Sequence, residues 1–379
     1  MKKVTLFLLL SGLTAMAQTP AEISIAKASA EIEKDPKHLS YYNALAMAYA
    51  KRARETSDVS YYTRAEETLA KSFAISSKNF EGRKIEVWLL LGRHEFAKAR
   101  EAAMKLNREV PDDVTVYGYL ADANAELGNY EEALKAAQWM LDLRPGNIAG
   151  LTRGAYLREL FGDLPGAIEL MQMAYDATSA GEREDQAWLL TQMAHLYLIQ
   201  SDWKKAETYA NGALQLFPNY HYALGTLGQI RMAQHRYTDA VMLFRQRYTA
   251  APHAENLYDL AVALESSGAT QESQDAFSRF EEASLAESEM ADNSNHELIL
   301  YYIDHANRPA DALRMARAEM SRRHDVHTLD CYAWALAANG QSEQARAEIH
   351  KALEVGVKEG GILEHARRIA GAANDASAL

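Results

Sequence analysis

The sequence predicts an all-α solenoid of antiparallel helix hairpins, and three observations lead there. A marker alanine recurs at nearly constant intervals, prolines and glycines stand at fixed offsets from it, and the residues between them follow helical periodicity. At 379 residues, 48% of them apolar and 24% charged, the chain can bury a large core. One globular core of that length would normally split into domains, whereas a repeat array grows by stacking each unit on its neighbours.

Lys2 and Lys3 precede an apolar run from Val4 to Leu13, too short to span a bilayer, and Ala15-Met16-Ala17 has the small-x-small form of a cleavage site. Residues 1–17 therefore read as a signal peptide, with a mature chain starting at Gln18 and an exported protein, periplasmic or secreted. No cysteine stands near the cut to carry a lipid anchor, and no later stretch reads as a transmembrane segment.

The marker positions are Ala65, Ala99, Ala133, Ala167, Ala206, Ala240, Ser273, Ala312 and Ala345, spaced by 34, 34, 34, 39, 34, 33, 39 and 33 residues. Twelve residues after the marker stand Pro111, Pro145, Pro218 and Pro252, with Pro36 in the same place after a partial first unit. Proline cannot continue a helix, so these are stops. Five residues before the marker stand Gly128, Gly162, Gly268, Gly340 and Asn307, residues suited to a left-handed helix cap. Pro165 and Pro309 fall just inside the following helix, where the missing N–H costs nothing.

Each interval then holds two amphipathic helices. In the first, a small residue recurs twelve before the marker: Ala121, Ala155, Ala194, Gly228, Ala261 and Ala333. A small side chain there lets the paired helix approach closely. One hairpin cannot bury both its faces, so the units must stack. This predicts about nine units over 18–379, an extra helix near 21–35 and a capping helix near 361–371. Three stretches break the period, near 54–60, 180–185 and 284–295; they read as loops, the last as a hinge between two sub-arrays.

Tyr117, Leu120, Ala121, Gly128, Asn129, Tyr130, Ala133 and Pro145 resemble one unit of the tetratricopeptide repeat family, and Ala194, Tyr197, Trp203, Ala206 and Pro218 resemble another. The likeness covers roughly residues 20–370, with Glu86, Leu300 and Ser273 as departures. It implies a right-handed superhelix whose first helices line a concave groove, and a partner that is a protein or peptide. Carried over by offset, the groove centre holds Met47, Trp88, Asp122, Tyr156, His195, Gln229, Val262, Tyr301 and Trp334. Nearby positions hold Lys84, Tyr119, Arg153, Trp188, Tyr222, Tyr258 and His327. Aromatic and arginine side chains supply much of the energy of protein interfaces. Some family members clamp a peptide carboxylate with lysine, asparagine and arginine. Lys84 and Arg153 match that clamp but its asparagines are missing, so such a ligand is not expected.

Charge narrows the partner. Without the leader's two lysines, 38 basic residues face 52 acidic ones, a formal charge of −14. That sign is wrong for nonspecific binding to nucleic acid or anionic lipid. The lone Cys331 excludes an intramolecular disulfide. No His-Glu-x-x-His pair, phosphate-cradling loop or Gly-x-Ser-x-Gly elbow occurs, so neither catalysis nor a cofactor is expected. His324, His327, Asp330 and Cys331 cluster within eight residues and leave a metal-binding alternative open around His327 and Cys331. Self-assembly through exposed terminal helices is a further alternative, though the charged segment with Glu364, His365, Arg367 and Arg368 reads as a cap, which favours a monomer. Lys51, Arg52 and Arg54, and the pair Arg322 and Arg323, read as cations on solvated helix ends.

Overall fold

Proline and glycine punctuate many of the helix boundaries, and the computed structural model follows that punctuation. It describes residues 18–289 and 293–376; the expected signal peptide at 1–17 lies outside them. The described residues form helices and turns, without β-strand. A first helix α1 (Pro20–Lys34), packed on the next one, is followed by the pairs α2 (Leu39–Thr56) and α3 (Ser60–Ile75), α4 (Phe80–Gly92) and α5 (Phe96–Glu109), and α6 (Val114–Glu126) and α7 (Tyr130–Leu143). Next come α8 (Ile148–Leu160) with α9 (Leu164–Ala177), α10 (Arg183–Ile199) with α11 (Trp203–Leu216), and α12 (His221–Ala233) with α13 (Tyr237–Ala250). The last pairs are α14 (Ala254–Ser266) with α15 (Thr270–Glu287), α16 (Asn295–Asp304) with α17 (Pro309–Glu319), and α18 (Val326–Ala338) with α19 (Ser342–Glu354), before α20 (Gly360–Ala376). Each helix packs on its hairpin partner and on the next pair, the arrangement of a helical-repeat solenoid.

The marker alanines are fully buried where two helices of a pair meet. The departure at Ser273 is accommodated chemically: its buried hydroxyl donates to the carbonyl of Ala261, the small residue of the facing helix, at 3.0 Å. At Gly228 a Cβ would come within 2.4 Å of the Phe244 ring, so here the pair closes on glycine alone.

Gly128, Gly162, Gly268, Gly340 and Asn307 all have positive φ, as their capping role requires. His94, Ser201 and His235 hold the same place in their units and the same left-handed backbone (φ 57°, 59° and 57°), which their residue types do not announce. After each such residue the next N–H reaches back to the preceding helix, as in Glu95 N to Leu90 O and Asp163 N to Arg158 O, both 2.8 Å.

The three period breaks correct one expectation. Most of the extra residues lengthen helices: α2, α10 and α15 run to 18, 17 and 18 residues, against 13 or 14 in most others. The junction read as a hinge is spanned by buried polar contacts. Asn295 Nδ2 donates to Glu319 Oε1 at 2.7 Å and to Ser288 O at 3.1 Å.

Distant units also touch. One continuous apolar cluster joins residues of α6 to α8 with residues of α13 to α20 and skips those between. The His324 N–H donates to Glu126 O at 3.1 Å, and the Val326 N–H to Tyr130 Oη at 3.0 Å. A Cβ on Gly128 would lie 2.7 Å from His324 O, and one on Gly162 would lie 2.5 Å from Gly356 O. The two glycines thus serve twice, as helix caps and as points of close backbone approach. At the C-terminal end, Ile362 and Ile369 of α20 are buried while Glu364 pairs with Arg368 on the outside, so the last hairpin is covered by an amphipathic cap.

Candidate functional site

The groove is built from the first helices of successive pairs, and its residues fall into three groups. At the N-terminal end, cations stand where solvated helix ends were expected. Arg54, in the last turn of α2, reaches across to the start of α10, donating to Asp185 Oδ1 at 2.7 Å and pairing with Glu184. Glu184 in turn accepts from Tyr220 Oη at 2.6 Å, and the carbonyl of Arg54 accepts from His221 Nε2 at 3.1 Å. Burial keeps the His221 ring neutral, its pKa pushed down to about 4. Arg323 is likewise buried, beside Glu319. The solvated helix-end reading is thus corrected: Arg54 ties α2 to α10, and Arg323 is buried beside Glu319 at the end of α17.

The second group surrounds a cavity of about 550 Å³. Its walls are Trp88 on α4, Asp122 on α6, Tyr156 on α8 and Trp188 on α10, with Arg54, Arg153, Glu182 and Asp185 at its edges. Trp88, Asp122 and Tyr156 occupy one register in three successive first helices, so stacking aligns them without long-range information. Arg153 lies flat along α6, with Nε donating to Gly118 O at 3.0 Å and Nη2 to Asp122 Oδ2 at 2.5 Å. A Cβ on Gly118 would stand 3.1 Å from that guanidinium, so the glycine makes the seat. Past Arg54 and Trp88 the trough continues into a second cavity of about 340 Å³ that includes Tyr222, Arg247 and Glu255.

Lys84 does not present a free ammonium. It sits between Asp113 at 2.9 Å and Glu81 at 3.0 Å. With Arg153 held by Asp122, both clamp-like cations are already neutralised within the chain.

The third group is aromatic. Tyr258 packs at a tilt against Phe280 (5.2 Å between centroids, 45°) and Tyr301 stacks on Phe277 at 5.0 Å and 26°. Trp334 stacks on His365 of α20 at 4.6 Å and 10°, and its Nε1–H donates to Asp304 Oδ1 at 3.1 Å. His195 bonds Glu159 through Nε2 at 2.8 Å; burial lowers its basicity, but the carboxylate more than restores it and the ring titrates above the usual histidine range. Tyr222 packs beside His221 at 3.9 Å. Tyr119 is the exception among the expected groove residues: at 5% exposure it belongs to the core with Val87, Ala99 and Val116.

His327 and Cys331 go different ways. Cys331 is buried in the large apolar cluster, while His327 Nδ1 lies 3.5 Å from Glu359. No three His, Cys, Asp or Glu side chains gather as a metal site among the described residues. No described helix is long and apolar enough to cross a membrane.

The groove's geometry and the stacked hairpins define a helical-repeat solenoid. A tetratricopeptide repeat model matches residues 86–148 and 191–255, and the described residues form an all-α helical-repeat solenoid. No curated protein matches the sequence. Among solved structures it is similar to a chain of the APC/C hetero-tetramer Cut9-Hcn1, at 12% identity and TM-score 0.51, over 91% of this chain and 58% of that one. The chain thus spans little more than half the length of that relative. It is also similar to the human IFIT1 dimer with m7Gppp-AAAA, at 14% identity and TM-score 0.55, over 87% of this chain and 85% of that one. At these identities the likeness concerns the fold.

Proposed function

We propose that this protein is a non-catalytic scaffold whose inner groove captures another protein or peptide, and that it works outside the cytoplasm. The observation that carries the reading is the row of Trp88, Tyr156 and Trp188 around an open trough between first helices. Partly exposed aromatic rings on rigid elements release much ordered water on binding and lose little side-chain entropy. Export rests on the leader-like residues 1–17. The IFIT1 relative is seen with m7Gppp-AAAA, but here the trough carries Asp122, Glu182, Asp185 and Glu255 and its arginines are already paired. A phosphate chain would meet repulsion there, so a protein partner fits better.

Affinity capture from an envelope or culture-fluid extract tests this. The wild-type chain is expected to retain a partner that Trp88→Ala and Trp334→Ala release, with unchanged helical content. Retention of every partner by a variant carrying both changes refutes groove binding. N-terminal sequencing of the protein from fractionated cells is expected to begin at Gln18; a chain beginning at Met1 in the cytoplasm refutes export.

A further inference from the structure

We infer that the cavity between Trp88 and Trp188 is a recognition pocket for an arginine side chain presented by an extended basic segment of the partner. The inference rests on the groove reading above and adds the chemistry of what enters. Two aromatic walls, Trp88 from α4 and Trp188 from α10, bound the same space, with Tyr156 between them in sequence. Aromatic faces attract a cation by their quadrupole, and a planar guanidinium can also stack on them.

The charge of the walls points the same way. Arg54 and Arg153 are the cations of the cavity, and each is engaged: Arg54 by Glu184 and Asp185, Arg153 by Asp122. Three carboxylates, Asp122, Glu182 and Asp185, thus line the cavity with two guanidiniums. Glu182 has no cationic partner among the described residues; its contact is the Ser179 hydroxyl at 3.2 Å. Asp122 and Asp185 each hold their guanidinium through one oxygen, and both side chains are about one-third exposed. An incoming guanidinium would find carboxylate oxygens on α6 and at the head of α10, on either side of the cavity. Its methylene stem would lie against the half-buried Ile148. An acidic or phosphorylated segment would meet the unbalanced carboxylates, and an apolar one would leave them unpaired. Beyond Trp88 the second cavity holds a single carboxylate, Glu255, already paired with Arg247 at 3.1 Å, so the acidic wall is that of the cavity between the two tryptophans.

Fluorescence anisotropy on the full chain tests this with a fluorescein-labelled octapeptide carrying two arginines among glycines and serines. The comparison peptide has citrulline, uncharged and nearly isosteric, in their place. The arginine peptide is expected to bind at least tenfold more tightly, and its advantage to shrink as salt rises. Glu182→Gln, at an exposed position that leaves the fold alone, is expected to weaken it severalfold, and Trp188→Phe likewise at unchanged melting temperature. Equal affinity for the two peptides overturns the inference, as does unchanged binding in both variants, or tighter binding of a glutamate peptide or a single-stranded RNA oligonucleotide. Should Trp334→Ala still release a captured partner while the two peptides bind equally, the groove reading stands and the arginine pocket falls. If neither discriminates, both fall.

Discussion

The guanidinium of Arg54 donates to the carboxylate of Asp185 at 2.7 Å across 131 residues of chain, tying the end of α2 to the start of α10. Its other partner, Glu184, is nearly buried and also accepts from Tyr220. Removing Arg54 therefore leaves a carboxylate short of its cation in a poorly solvated place. Breaking such a pair costs several kcal/mol when fully buried; with the Arg54 side chain 30% exposed, Arg54→Ala is expected to cost about 2 kcal/mol. Adding Glu184→Gln should return part of the loss. Chemical denaturation of the two single variants and the double variant checks this, and strict additivity would exclude the coupling.

Gly128 and Gly268 share the left-handed backbone, with φ of 73° and 82°, but a Cβ on Gly268 meets nothing within 4 Å while one on Gly128 meets His324 O at 2.7 Å. Gly268→Ala is expected to cost about 1–2 kcal/mol from the backbone alone. Gly128→Ala should cost clearly more, because the loop beneath α18 must also retreat. Equal melting temperatures for the two variants would show that the seam between distant units contributes little.

Stability should also depend on pH through the same seam. Burial, with help from Asp325, raises the Glu126 carboxyl to about 7, well above the ~4.3 of an unfolded chain. The folded state keeps a proton that the unfolded state releases. This contribution is full below ~4.3 and is lost as pH rises through 7. Glu297, raised to about 7 by burial and Glu255, acts in the same direction. His221 acts oppositely: burial depresses it to about 4, so its contribution is present above ~6.5 and is lost as pH falls through 4. Calorimetry from pH 5 to 8 should show a decline in melting temperature that Glu126→Gln flattens. Parallel curves for the two proteins would contradict the assignment.

Partner binding should be indifferent to a free terminal carboxylate. Lys84 is held between Asp113 and Glu81, and Arg153 by Asp122, so neither cation is open to clamp one. Amidating the C-terminus of a captured peptide is expected to change its affinity less than twofold by titration calorimetry. A tenfold loss would mean that these ion pairs open on binding.

The repeat was legible because every unit solves one local problem. A small residue must sit where two helices of a pair touch, and a left-handed residue must end the first helix. Ala133 and Gly128 announce both, and Ser273 announces the first only once its bond to Ala261 is seen. His94, Ser201 and His235 adopt the same cap without a glycine, since the stacked hairpins impose a backbone that these residues tolerate at modest cost. Trp88 and Tyr156, placed by offset, line a common cavity. Offset alone could not tell that Tyr119, one residue beyond the seat of Arg153 at Gly118, turns into the core.

By itself, the sequence determined the helices, their pairing and the ends marked by proline or glycine, because these follow from contacts within one or two units and are written again in each. Tertiary structure alone decided that Arg54 meets Glu184, that the loop at Gly128 meets the head of α18, and that two tryptophans a hundred residues apart face one cavity. Such meetings depend on the small rotation between neighbouring units, summed over several of them. No local pattern encodes that sum, so the residues it brings together carry no spacing by which to be recognised.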